Sequence, residues 1–114
     1  MFLDRDGTVI VEKVYLSDPD GVEFIAGSIE AMRQLADAGF VVVIVTNQAG
    51  IACGKYGVEE YQAVARRVAE RLEAGGVQVG GTYFCPHHPD VTGACDCRKP
   101  GTGMYREAAA ALAL

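Results

Sequence analysis

Phe40-Val41-Val42-Val43-Ile44-Val45, running directly into Thr46-Asn47-Gln48-Ala49-Gly50, is the stretch on which the fold turns. Six apolar residues in a row, mostly β-branched, show none of the alternation of a strand with one wet face. They predict a strand over 40–45 buried on both faces, as in a parallel sheet covered by helices. Just before it, Ile29, Met32, Leu35 and Ala36 form a helical stripe, with Ser28 as N-cap and Gly39 just past the C-terminus. Beyond the polar loop a second helix is predicted over 58–74, carrying Val58, Tyr61, Ala65, Val68 and Leu72 on one face and stopped by Gly75-Gly76. Further out lie Met1-Phe2-Leu3, a strand-like stub, Thr82-Tyr83-Phe84, a short third strand, and an Ala-rich helix over 102–114. Strands alternating with helices predict an α/β fold, a parallel sheet with crossover helices on both faces, in one domain over 1–114. Ligands of such sheets bind at the carboxyl ends of the strands. The three most unusual stretches fall there, after Leu3, after Val45 and after Phe84.

Composition narrows the function classes. The 114 residues carry 10 Lys+Arg against 15 Asp+Glu, a net charge of −5, and half are apolar. No basic stripe offers itself to nucleic acid or to an anionic membrane, and a disordered chain is excluded. The run over 40–45 is too short to span a bilayer, and no basic stretch leads into an apolar one at the N-terminus. The expectation is a soluble, cytoplasmic, monomeric protein. Three of the four cysteines crowd into residues 85–97 beside two histidines, a clustering that points to a metal more than to a disulfide framework.

Asp4-Arg5-Asp6-Gly7-Thr8 follows the first strand. In an extended chain Asp4 and Asp6 face the same way, and Gly7 lets the backbone turn off sharply. Two carboxylates so close suit a hard cation such as Mg²⁺, beside which one can attack a phosphoryl group while the other moves a proton. The plainer alternative is an Asx-rich turn. At the end of the second strand, Thr46 and the free amides of its loop can hold phosphate oxygens, or form a simple strand-to-helix turn. Gly50 to Lys55 lacks P-loop spacing, and Tyr56 stands where a Ser or Thr is needed. The third stretch, Cys85-Pro86-His87-His88-Pro89 with Cys95-Asp96-Cys97, offers thiolates and an imidazole for a closed tetrahedral Zn²⁺ site, with a reactive thiol cluster or a disulfide as alternatives. A closed site braces a loop and performs no chemistry. Arg98-Lys99-Pro100 comes next; Arg98 can fork onto a second phosphate of a substrate.

Asp4-Arg5-Asp6-Gly7-Thr8 resembles motif I of the haloacid dehalogenase superfamily of phosphatases. Thr46-Asn47-Gln48-Ala49-Gly50-Ile51, the Cys/His loop and Arg98-Lys99-Pro100 narrow the resemblance to its zinc-containing, capless branch, which acts on heptose bisphosphate and histidinol phosphate. It implies a Rossmann-like three-layer parallel sheet, with three strands visible here. It also implies Asp4 as nucleophile, Asp6 as general acid/base, Thr46 and Lys99 as phosphoryl-stabilising groups, and Mg²⁺ at Asp4 and Asp6. Asn47, Gln48 and Arg98 become substrate contacts, Glu12, Lys13, Val14 and Tyr15 a loop that touches the sugar, and Cys85, His87, Cys95 and Cys97 the zinc ligands.

The function so implied is Mg²⁺-dependent removal of the 7-phosphate of D-glycero-D-manno-heptose 1,7-bisphosphate, with histidinol phosphate as the alternative substrate. The partner is a small phosphorylated sugar, with no nucleic acid and no membrane. Cys53 and Gly101-Thr102-Gly103-Met104 depart from the usual pattern. The superfamily's fourth acidic motif has no counterpart, since Glu107, within a helix, is the sole acid after Lys99. A C-terminally shortened domain is therefore expected, and a catalytically inactive, zinc-held remnant stands as the reading from another class.

Overall fold

The run over 40–45 becomes the centre of the protein, although the strand it forms is shifted. In the computed structural model, which describes residues 1–13, 15–86, 99 and 101–112, the chain forms β1 (Phe2–Leu3), α1 (Ser28–Asp37), β2 (Val43–Asn47), α2 (Ala49–Ala52), α3 (Val58–Ala74), β3 (Gly81–Cys85) and α4 (Gly103–Leu112). The strands make one parallel sheet in the order β1-β2-β3, with Leu3 opposite Ile44 and Thr46 opposite Phe84.

Both faces of β2 are buried, as its unbroken hydrophobicity predicts, and alternate residues serve different layers. Ile44 joins Met32 of α1 and Val64, Val68 and Leu72 of α3 in one core. Val43 and Val45 point the other way, against Met104 and Ala108 of α4 and against Cys85. Helices therefore cover both faces, α1 and α3 on one and α4 on the other. Two crossovers stepping the same way along a sheet place their helices on the same face when both share one hand. The result is the expected three-layer α/β arrangement, and among the described residues neither crossover carries an inserted domain. No helix of the described residues is long and apolar enough to cross a membrane.

Four local expectations need correction. The strand begins at Val43 rather than at residue 40, because α1 ends in a Schellman motif that claims the preceding backbone. Gly39 adopts φ +94° and donates its amide to Ala36 O at 3.0 Å, while the Phe40 amide bonds Leu35 O at 3.1 Å. Phe40 and Val41 are left exposed. Ser28 is not the N-cap of α1. Gly27, at φ +84°, holds that position, and the Ser28 hydroxyl instead donates to Val9 O at 2.8 Å, tying the helix start to the segment that leaves the site. Val58 is exposed at the first position of α3, and the buried stripe starts a turn later, at Tyr61. Finally, part of the polar loop after β2 is the one-turn helix α2.

Candidate active site

Beyond β1 the side chains alternate as an extended chain requires. Asp4 is 50% exposed and Asp6 26%, while the Arg5 side chain between them is 3% exposed. Gly7, at φ +83°, reverses the chain, and the Arg5 carbonyl gathers the amides of Thr8, Val9 and Ile10. The guanidinium is the first residue that sequence reasoning overlooked. Its Nε and Nη2 donate to Asp6 Oδ1 and Oδ2 at 3.1 and 3.2 Å, a forked charge-assisted pair. It also lies 5.6 Å from the centroid of the Tyr61 ring, which stacks on Phe84 at 4.2 Å. Arg5 Nη1 and the Tyr61 hydroxyl are buried with no hydrogen-bond partner among the described residues. Burial pushes the Tyr61 pKa up to about 12, against a smaller lowering by the Arg5 charge.

The end of β2 supplies the next group. Thr46 and Gln48 are buried, and the Gln48 amide donates to Thr46 Oγ1 at 2.8 Å and to Asp6 Oδ2 at 3.1 Å. Tyr56 donates its hydroxyl to Gln48 Oε1. Burial raises the Tyr56 pKa, so the phenol keeps its proton well past neutral pH. Asn47 reaches in the other direction. Its Oδ1 accepts the Lys99 amide at 3.0 Å and its Nδ2 faces Lys99 O at 3.5 Å. Held in this way, Lys99 donates from Nζ to Asp4 Oδ1 at 3.0 Å, although the two residues are 95 apart in sequence. Asp4 Oδ1 also takes the Arg5 amide at 2.9 Å, whereas Oδ2 accepts no hydrogen bond among the described residues.

The structure thus brings Asp4, Asp6, Thr46, Asn47, Gln48 and Lys99 together at the carboxyl ends of the strands. Beside them opens a cleft of about 320 Å³ whose wall includes Glu12, Lys13 and Tyr15, with Asp6, Asn47 and Gln48 among its lining. Tyr15 has φ +52°, an uncommon conformation for an aromatic residue, and its ring abuts Gly50 together with that of Tyr56. Cys85 closes β3 and is fully buried. Val14, His87, Cys95, Cys97 and Arg98 lie outside the described residues. Arg5 had a signal in the sequence, since the residue between two outward carboxylates must point inward. Tyr56 had none, because its partner lies across a turn of no regular period.

A match to the family described as polynucleotide kinase 3 phosphatase extends over residues 1–114. The chain belongs to that family. Relatives similar to it include the D-glycero-beta-D-manno-heptose-1,7-bisphosphate 7-phosphatase of Yersinia pestis, 45% identical over 113 residues that cover 95% of this chain and 60% of the relative. The enzyme of the same name from Escherichia coli K12 is 43% identical over 95% of this chain and 59% of the relative. Among solved structures, D,D-heptose 1.7-bisphosphate phosphatase from B. bronchiseptica, complexed with magnesium and phosphate, superposes with a TM-score of 0.90 at 35% identity, covering 100% of this chain and 63% of its own. The α/β fold expected of a haloacid dehalogenase-like phosphatase is the fold of the chain. This family member spans about 60% of the length of the Yersinia relative.

Proposed function

We propose that this chain carries the phosphoryl-transfer site of a phosphomonoester hydrolase whose substrate is D-glycero-D-manno-heptose 1,7-bisphosphate, cleaved at the 7-phosphate. The observation that carries the reading is the Lys99–Asp4 contact at 3.0 Å, which places a cation on a carboxylate beside Asp6 and Thr46. Asp4 attacks phosphorus, forming an aspartyl-phosphate as the bond from phosphorus to the sugar oxygen breaks. Asp6 gives its proton to that departing oxygen. It then takes a proton from the water that attacks the aspartyl-phosphate, releasing inorganic phosphate and restoring Asp4. Lys99 and the Thr46 hydroxyl offset the charge that gathers on the phosphoryl oxygens.

The residues fit a hard divalent cation. Asp4 is half exposed and its Oδ2 has no hydrogen-bond partner among the described residues. The Asp6 carboxylate already takes three N–H donors, and its main-chain oxygen accepts none among the described residues. Asp4 and Asp6 would hold Mg²⁺, which supplies neutralisation of phosphoryl charge when bound. Support comes from the structural relative, which was crystallised with magnesium and phosphate. Cys85, His87, Cys95 and Cys97 make up a donor set suited to structural Zn²⁺, which would brace the segment that leads to Arg98 and Lys99.

The test is phosphate release with Mg²⁺ present from three compounds: heptose 1,7-bisphosphate, histidinol phosphate and a 3′-phosphorylated oligonucleotide. The reading expects the bisphosphate to be the best substrate. A net charge of −5 disfavours the oligonucleotide that the family's description brings to mind. Preferential hydrolysis of either other compound overturns the substrate assignment.

A further inference from the structure

We propose that Gln48 is a positioning residue that sets Asp6 and Thr46 in order, with Tyr56 fixing its orientation. This departs from the substrate-contact role that the resemblance gives it, and it rests on the phosphatase reading above.

The polarity of the network follows from one fixed point. The Arg5 guanidinium, which only donates, faces both Asp6 oxygens, so Asp6 Oδ2 stands as an acceptor. The Gln48 group at 3.1 Å from Asp6 Oδ2 is therefore the NH₂, and the amide oxygen must face the other way. There it meets Tyr56, a phenol that burial keeps protonated and so able to donate. The second N–H of Gln48 goes to Thr46 Oγ1 at 2.8 Å. Because Thr46 Oγ1 is occupied as an acceptor, its own proton is left to point elsewhere. The hydrogen bond it donates among the described residues, to Asn47 O at 3.5 Å, is at the limit of such a bond. One buried amide thus holds the acid/base carboxylate from one side and turns the Thr46 hydroxyl into a donor toward the phosphoryl site. Gln48 is 4% exposed, so its reach toward a ligand is small, while both of its N–H groups are spoken for within the protein.

The experiment compares Gln48→Met, Tyr56→Phe and the double variant with the unaltered chain, using phosphate release under Mg²⁺ and an Asp4→Asn control. A positioning role predicts that Gln48→Met lowers kcat by about 10- to 100-fold, the loss that goes with removing the hydrogen bond to the charged Asp6 side chain. KM should move less than about twofold. Tyr56→Phe should lower kcat alone but add little in the Gln48→Met background, since the hydrogen bond it donates ends on that amide. A raised KM with kcat preserved, or fully additive losses, overturns the proposal.

The network is also read without turnover, from the side-chain ¹⁵N–¹H₂ signals of Gln48. The proposal expects slow exchange with water that Tyr56→Phe accelerates. An amide that exchanges like an exposed glutamine overturns it. Turnover that survives Asp4→Asn, or that never occurs, counts against the phosphatase reading alone, because the amide signature stands apart from it.

Discussion

Replacement of Arg5 by methionine separates what this side chain does for the site from what it does for the fold. Its side chain is 3% exposed and makes two hydrogen bonds, at 3.1 and 3.2 Å, to Asp6. Hydrogen bonds to charged groups contribute about 1.5–3 kcal/mol. Set against them is Nη1, buried with no partner among the described residues, a donor whose desolvation costs about 1–3 kcal/mol. That cost offsets about half of the two bonds, and Asp6, 26% exposed, is open enough for water to replace most of the rest. Methionine also retains most of the stem, which lines a small apolar cavity with Ile44, Ala65, Val68 and Leu72. Arg5→Met should therefore change the unfolding free energy by no more than about 1 kcal/mol, a Tm shift of at most about 4–8 °C. Arg5→Ala removes the stem as well and should cost about 2–4 kcal/mol. Both variants should lose turnover, because Asp6 loses its fork. Urea unfolding of the two variants, with kcat measured on the same samples, is the assay. If the methionine variant loses as much stability as the alanine variant, the charge itself holds the fold and the reasoning fails.

Asn47→Ala should free the backbone of Lys99 and lower kcat by about tenfold, the value of one or two hydrogen bonds; added to Lys99→Ala it should do little more, which steady-state kinetics of the pair will read. Gly50→Ala places a methyl group against the rings of Tyr56 and Tyr15, the latter at 2.8 Å, and should cost about 1–3 kcal/mol by overpacking, measured by thermal unfolding. Tyr61 has a pKa of about 12 in the folded protein against 10.0 unfolded. Its neutral form is favoured by folding, so the full contribution is present below pH 10 and is lost as pH rises toward 12. Stability should fall by up to about 2–3 kcal/mol across that window. Tyr61→Phe should remove this component, as followed by urea unfolding at pH 9 to 12, without loss at pH 7.

The fold was legible in the sequence wherever burial dictated residue type. Residues 42–45 had to be covered on both sides, and the stripe at Tyr61, Val68 and Leu72 had to face a core. Boundaries were less legible where backbone geometry decided them. The same hydrophobicity runs through Phe40 and Val41, yet the Schellman closure of α1 consumes the Phe40 amide and leaves both side chains outside. Ser28 has the chemistry of a cap, but Val9 O lay within reach of its hydroxyl and Gly27 had the conformational freedom to start the helix.

At the site, the paired aspartates, Thr46 and Lys99 were visible as motifs at three strand ends, and the parallel sheet brings them together. What connects them was hidden. The inward turn of Arg5 followed from its place between two outward carboxylates, but Tyr56 and the grip of Asn47 on Lys99 are partnerships between residues whose types carry no positional signal, and they emerge only when the turns are folded.

If Asp4 is the phosphoryl acceptor, the phosphoryl group can be caught on it. The chain would be mixed with heptose 1,7-bisphosphate and Mg²⁺, quenched in acid within the first turnover, and digested for mass spectrometry. The peptide containing Asp4 should be heavier by one phosphoryl group, and the gain should be absent in Asp4→Asn. Phosphate released at full rate with no modified peptide, or a phosphoryl group found on another residue, would contradict it.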